Sequence, residues 1–417
     1  LSLFQSSKWS LIPGGGGITA PSGYKAAGIK AGLKSSEKLD LALILAPPDA
    51  LCAGAFTKSL VRAKCIDVCI ERLSQENGKV RAILINSGQA NACTGSRGLE
   101  DSLIATKGVA DRLGVSVNEV LICSTGVIGQ PIPINNLLNG LDPLVNALNK
   151  TGGADAAKAI LTTDLSTKEI AIEAFLGGKC VRIGGMAKGS GMIHPDMATM
   201  LGFLTCDIAI PKVDWDSMIK RVVDDSFNLI TVDGDTSTND SVLAFSGGAP
   251  LDKQYFEEIE IGLKLVSTYL AKSIVRDGEG ANCVIEVKVE GAKNKFDAGL
   301  IARTICSSSL VKTAVHGCDP NWGRIIAAAG RSGVPFQLDN TSLWIGPFQL
   351  MGMGLPLEFN SVLIRNYMRT KIKGKNVKLE DKTVPIKLVI GEGSQQAIAW
   401  GCDLSDEYIR INADYTT

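Results

Sequence analysis

A threonine that follows an alanine at the end of a glycine-rich approach has the parts needed to cut its own chain. The stretch Lys188-Gly-Ser-Gly-Met-Ile-His-Pro-Asp-Met-Ala-Thr199-Met-Leu has that form. Attack of the Thr199 hydroxyl on the Ala198 carbonyl would turn the peptide into an ester, and water would then release Thr199 as a new N-terminus. The freed α-amine, ordinarily titrating at about 7.7–8.0, lies beside its own hydroxyl and can take that proton near neutral pH. One residue then supplies both nucleophile and base. In isolation, Gly-Ser-Gly before apolar residues also fits a turn leading into a buried element.

Other chemistries have fewer parts. The chain has only two histidines, His194 and His316, and neither stands in a recognisable Ser-His-Asp or Cys-His setting. Gly-x-Ser-x-Gly, Gly-x4-Gly-Lys-Ser/Thr and His-Glu-x-x-His are all missing, which removes the common hydrolase, nucleotide and zinc patterns. An attacking threonine still requires donors for an oxyanion. Ser124-Thr125-Gly126 follows an expected strand ending at Cys123 and precedes a Gly-Gln-Pro turn, so we assign the oxyanion hole to Thr125 and Gly126, with a plain turn as the alternative. The polar run Asp233-Gly-Asp-Thr-Ser-Thr-Asn-Asp240 could hold a hard cation, but it lacks the spacing of a calcium loop and better fits side chains capping turns. No metal is assigned. Asp277-Gly-Glu279-Gly280 puts an acid between glycines, suited to a ligand ammonium or to a solvated turn.

The elements that must position these residues read as mixed α/β texture. Residues 81–86, 169–175, 179–183, 283–289 and 384–390 have strand character, and Gly177-Gly178 predicts an antiparallel hairpin leading to the Lys188 block. Helical spacing marks 143–149, with Asp142 as N-cap and Pro143 as first residue, and also 213–226, 253–272 and 296–315. Gly247-Gly248-Ala249-Pro250 reads as turn punctuation, and 371–378 as a basic surface loop around Gly374. The expected class is α/β built from mixed α+β layers.

Composition narrows the partners. Forty-three basic and 43 acidic side chains cancel, so no net field recruits nucleic acid or an anionic membrane surface. Aromatic content of 5% is too low for base-stacking platforms. The apolar run 39–46 stops at Pro47-Pro48, and no segment reaches the ~18–20 apolar residues of a membrane span. Eleven scattered cysteines without a Cys-x-x-Cys pair fit neither a zinc site nor a disulfide framework, and favour a reducing compartment. The first residue is Leu1, which is compatible with a removed targeting segment.

Taken together, the blocks resemble the ornithine acetyltransferase family, also called glutamate N-acetyltransferase, of arginine biosynthesis. They are Asn86-Ser-Gly-Gln-Ala-Asn-Ala-Cys-Thr-Gly95, Ser124-Thr-Gly126, Thr162-Thr-Asp164, Gly184-Gly-Met-Ala-Lys188, Met197-Ala-Thr-Met-Leu201, Asp233 to Asn239, Asp277-Gly-Glu-Gly280, Asp319-Pro-Asn-Trp-Gly-Arg324 and Arg410-Ile-Asn-Ala-Asp-Tyr-Thr-Thr417. The resemblance spans nearly the whole chain. It implies self-cleavage into α (1–198) and β (199–417) chains that stay together as α2β2, in a layered N-terminal-nucleophile fold similar to self-processing DmpA-type aminopeptidases. It also implies that Thr199 takes the acetyl group, that Thr125 and Gly126 form the oxyanion hole, and that Thr162, Lys188, Thr199, Glu279, Asn412 and Thr417 contact substrate. The implied reaction carries acetyl from N2-acetylornithine to glutamate with no bound cofactor, acetyl-CoA being a further possible donor. Two positions depart from the family pattern: Asp196 stands for a usual Asn, adding charge near the scissile bond, and Gln89 replaces another Asn. An N-terminal-nucleophile aminopeptidase or amidase would share the nucleophile but give the acyl group to water; a binding or scaffold protein is the third reading. The wording of the blocks looks plant-like, which implies a plastid stroma, with bacterial cytoplasm or mitochondrial matrix as alternatives.

Overall fold

The computed structural model describes residues 4, 7–75, 78–194, 200–373 and 381–414. Ala82–Gln89 and Val120–Val127 are almost wholly buried and open on apolar runs (82–85 and 120–123), the pattern of parallel strands covered on both faces. With Lys25–Ile29 and Leu41–Leu45 they form a four-stranded sheet. A six-stranded sheet runs in the order Ser10–Leu11, Lys168–Leu176, Lys179–Lys188, Leu201–Ala209, Ser241–Pro250 and Leu51–Phe56. It therefore takes strands from both sides of the Ala198/Thr199 bond.

The two sheets pack face to face over Tyr24, Ile44, Ile83, Ile85, Leu121, Met186, Phe203, Leu243 and Phe245. Helices cover the outer faces. Lys64–Gln75, Gly95–Leu113 and Ile134–Asn146 pack on the four-stranded sheet, while Lys212–Asp224 and Phe256–Arg276 pack on the six-stranded one through Trp215, Ile219, Leu263, Val266 and Leu270. This is helix–sheet–sheet–helix layering, as the mixed α+β expectation requires. A separate seven-stranded sheet in the C-terminal half has its own core around Ile285, Val287, Ile301, Leu343, Ile386 and Leu388. Among the described residues, no helix is long and apolar enough to cross a membrane.

Most sequence-read elements are present, including the Gly177-Gly178 hairpin, where both glycines have positive φ (57° and 76°). Four are corrected. Thr125 and Gly126 lie inside the strand Val120–Val127 rather than in a turn after Cys123, because parallel pairing with 82–89 continues through Gly126. Pro143 stands within the helix Ile134–Asn146 rather than at its start, and Asp142 pairs with Arg112 (2.7 and 3.0 Å) rather than capping. Gly247-Gly248 is a bulge in the strand Ser241–Pro250, not an inter-element turn; Gly248 there has φ 115°. The 296–315 pattern is two helices, Lys295–Ser307 and Ser309–His316, interrupted where Ser308 turns extended (ψ 113°). Of the basic loop, 371–373 end the helix Ser361–Lys373, and 374–378 lie outside the described residues.

Candidate active site

The strand Lys179–Lys188 ends with its last residue buried and paired in register with Leu201, two positions beyond Thr199. The Lys188 ammonium donates to Thr162 Oγ1 at 2.7 Å and lies 3.4 Å from Thr125 Oγ1. Three side chains read separately from the sequence therefore meet at one ammonium. Thr162 arrives on the link after the helix Gly153–Ala159, and Thr125 on the four-stranded sheet. Gly126 follows with φ 134°, and a Cβ there would stand 2.2 Å from the Gly88 carbonyl carbon of the paired strand. Replacing Gly126 by alanine is expected to destabilise the protein by about 3 kcal/mol through strain and overlap, read as a fall of several degrees in unfolding temperature.

A second pair faces this group across the Lys188–Ile193 turn. Asn412, on the helix Asp406–Asp414, donates to Glu279 Oε2 at 2.9 Å. The Glu279 main-chain N–H donates to the Ser190 carbonyl at 3.1 Å, and a Cβ on Gly191 would meet the Glu279 carboxylate at 2.5 Å. Glycine at 191 leaves room for the carboxylate to lie against the backbone. Ala198, Thr199 and Thr417, and with them Asp196, lie outside the described residues.

The polar run 233–240 anchors the chain that leads to the threonine. Asp233 accepts main-chain hydrogen bonds from Met192 (2.6 Å) and Ile193 (2.8 Å), and Thr236 donates to the His194 carbonyl at 2.9 Å. Asn239 donates to the carbonyls of Ala90 (2.5 Å) and Ser124 (2.8 Å), bracing the strand that carries Thr125. The turn-capping alternative for this run therefore holds. Gln89 donates to the Leu33 carbonyl at 2.7 Å.

Sequence reading missed the charges that hold these parts in place. Lys168, 2% exposed, bridges Asp164 (2.8 Å) and Asp277 (2.5 Å). Asp164 also accepts from the Gly189 main chain at 2.7 Å and lies 3.8 Å from the Lys188 ammonium. Burial alone would raise the Asp164 carboxyl, but the charges of Lys188 and Lys168 hold it well below the usual carboxylate range. Burial pushes the Lys188 ammonium down, and Asp164 opposes that. Asp277 further accepts from the Leu165 and Ser166 main chains (3.0 and 3.3 Å). The network ties Thr162, Lys188 and Glu279 into one frame. Asp164 and Asp277 were present in the recognised blocks, but Lys168 carried no local signal.

Lys34 is a further neighbour of the site. It donates to the carbonyls of Leu161 (2.7 Å) and Leu39 (3.2 Å), and burial lowers its ammonium to about 8, with Asp40 opposing. Its Cγ lies 3.2 Å from where a Cβ on Gly88 would stand, and Gly88 is the register partner of Gly126.

Layered sheets with a buried lysine–threonine centre, and a half-buried carboxylate near enough to act on the lysine's charge, define a mixed α/β protein with charges of both signs gathered at one place. The chain belongs to the ArgJ family, whose model matches residues 25–417. It is 67% identical over its whole length, and the whole of the relative's, to the arginine biosynthesis bifunctional protein ArgJ of Prochlorococcus marinus. A solved ornithine acetyltransferase from Mycobacterium tuberculosis, complexed with ornithine, matches 45% of this chain and 98% of its own at 39% identity and TM-score 0.42. The L-aminopeptidase D-Ala-esterase/amidase of Ochrobactrum anthropi, described as a variant of the Ntn hydrolase fold, matches 63% and 86% at 10% identity and TM-score 0.40.

Proposed function

We propose that this chain moves an acetyl group from N2-acetylornithine to glutamate through an acetyl ester on Thr199, after cutting itself between Ala198 and Thr199. As an ArgJ protein it is an acetyltransferase of arginine biosynthesis. The observation that carries the residue-level reading is the convergence of Thr125, Thr162 and Lys188 beside the strand that resumes at Leu201.

In the forward step the Thr199 hydroxyl adds to the acetyl carbonyl while its proton passes to the Thr199 α-amine. The oxyanion is received by the Thr125 hydroxyl and the Gly126 N–H, with the Lys188 charge polarising the Thr125 oxygen. The C–N bond then breaks, the proton goes to the departing amine, and ornithine leaves. Glutamate's α-amine attacks the ester, and the same transfers in reverse give N-acetylglutamate and free Thr199. Lys188 and Thr162 receive the substrate carboxylate, while Glu279, oriented by Asn412, receives an ammonium. We assign Thr417 to substrate as well. Acetyl-CoA can load the same threonine, since a thioester carbonyl meets the same nucleophile.

The six-stranded sheet supports the α/β division: its two strands from 199–417 lie between strands from 1–198 on both sides, so cutting one loop leaves the halves hydrogen-bonded. Pairing of two such units as α2β2 is part of the proposal. The similar proteins from Prochlorococcus and Synechocystis are cyanobacterial, which favours a bacterial cytoplasm over a plastid stroma. The deciding experiment is release of ornithine from N2-acetylornithine with and without glutamate. Acceptor-dependent turnover with N-acetylglutamate as product is expected; equal rates with and without glutamate would instead make the protein an amidase.

A further inference from the structure

The two amino acids that pass through this site differ chiefly at one end. Both present an α-nitrogen and an α-carboxylate, but ornithine's side chain ends in an ammonium and glutamate's in a carboxylate. One slot of fixed charge cannot favour both. Glu279, held by Asn412, suits the ammonium. Lys188 is already the centre for the common carboxylate and is compensated by Asp164.

Lys34 stands in a different condition. It is half-buried and gives two of its donors to main-chain carbonyls; Asp40, whose carboxylate accepts from the Lys34 main chain at 3.1 Å, acts on it at longer range, and among the described residues no carboxylate lies within ion-pair distance of the ammonium. Those carbonyls place it beside Thr162, through Leu161, and its stem lies against Gly88, the partner of Gly126. An ammonium has three donors, and a half-buried one with two given to carbonyls and no direct ion pair among the described residues can take a carboxylate on the third. We infer that Lys34 is the specificity-determining residue for the acceptor, receiving the side-chain carboxylate that glutamate has and ornithine lacks.

This rests on the acetyl-transfer reading, and the test separates the two. In the purified full chain, Lys34→Gln retains a donor for the Leu161 carbonyl while removing the charge, and Lys34→Arg retains the charge. Single-turnover ornithine release from N2-acetylornithine reports the first half-reaction; KM for glutamate reports the second. Lys34→Gln is expected to raise KM for glutamate about tenfold or more, to leave ornithine release within about twofold, and to be largely rescued by Arg. Equal losses in both half-reactions, or no change in either, would overturn the inference and leave Lys34 a brace for residues 39 and 161. If the parent protein releases no ornithine at all, the acetyl-transfer reading itself fails.

Discussion

Thr199→Ala is expected to leave one uncut chain of 44.0 kDa, where the parent gives two fragments divided between Ala198 and Thr199. Transfer should fall by on the order of 10⁴-fold or more, the scale on which loss of an activated nucleophile is felt. The expectation has two independent parts, because in the proposed reaction the hydroxyl opens its own peptide and then accepts acetyl. Thr199→Ser separates them from mere misfolding: it keeps the hydroxyl, so cutting and acetyl-enzyme formation should persist at reduced rate. Denaturing intact-mass spectra, before and after addition of N2-acetylornithine, read both events. A fragment 199–417 that gains no acetyl mass, although it has been cut, would remove Thr199 from the transfer chemistry while leaving the cleavage. Asp196→Asn adds a graded test. Removing a negative charge near the developing oxyanion should quicken maturation, and an unchanged or slower cut would show that Asp196 does not oppose it.

The parts of the site legible in the sequence were those with a chemical signature of their own. Thr125-Gly126 was read as an outward-facing donor pair, and the structure places Thr125 against Lys188, but inside a strand. The sequence misleads there because Ser, Thr and Gly favour turns locally, while pairing with Ser87 and Gly88 overrides that preference. Pro143 misled likewise: a helix that packs Leu137, Leu141 and Leu144 into a core tolerates one missing N–H donor. The Gly177-Gly178 hairpin succeeded because two positive-φ residues specify a tight turn without tertiary help.

What could not be read is the frame. Lys168 reaches Asp277 across 109 residues and Lys188 reaches Thr125 across 63. Lys168 opens the strand Lys168–Leu176 next to Glu169, at a strand end where a lysine ordinarily faces water. Only the arrival of Asp164 and Asp277 on the same side makes its burial tolerable. Lys34 is illegible for a related reason: its place beside Thr162 depends on the Leu161 carbonyl, 127 residues away in sequence. The sequence thus identifies groups able to react, whereas the charge pattern that aligns them exists only after the two sheets have met.

Lys168→Met is therefore the structural change with the largest expected consequence. It removes the cation shared by Asp164 and Asp277 while leaving both carboxylates in place, and breaking a buried pair in this way costs about 3–5 kcal/mol. Asp164 retains Lys188 at 3.8 Å and the N–H groups of Thr162 and Gly189, whereas Asp277 keeps, among the described residues, the main-chain donors of 165 and 166. The strained member is Asp277, so Lys168→Met with Asp277→Asn should recover part of the loss, a coupling that a double-mutant cycle measures. pH gives a second readout. The folded state holds the Asp164 carboxyl below its unfolded value, so this carboxylate's stabilisation is complete above about pH 5 and fades as acid approaches the depressed folded value. Without Lys168 that depression shrinks, so less stability is lost on acidification from pH 5 to 3 than in the parent, although the variant starts lower. Activity should fall beyond what stability explains, because the same network aligns Lys188 with Thr162 and sets Glu279 behind Ser190. A variant as stable as the parent, with an unchanged acid response, would mean that the surrounding main-chain donors hold the two carboxylates and that Lys168 contributes no net alignment.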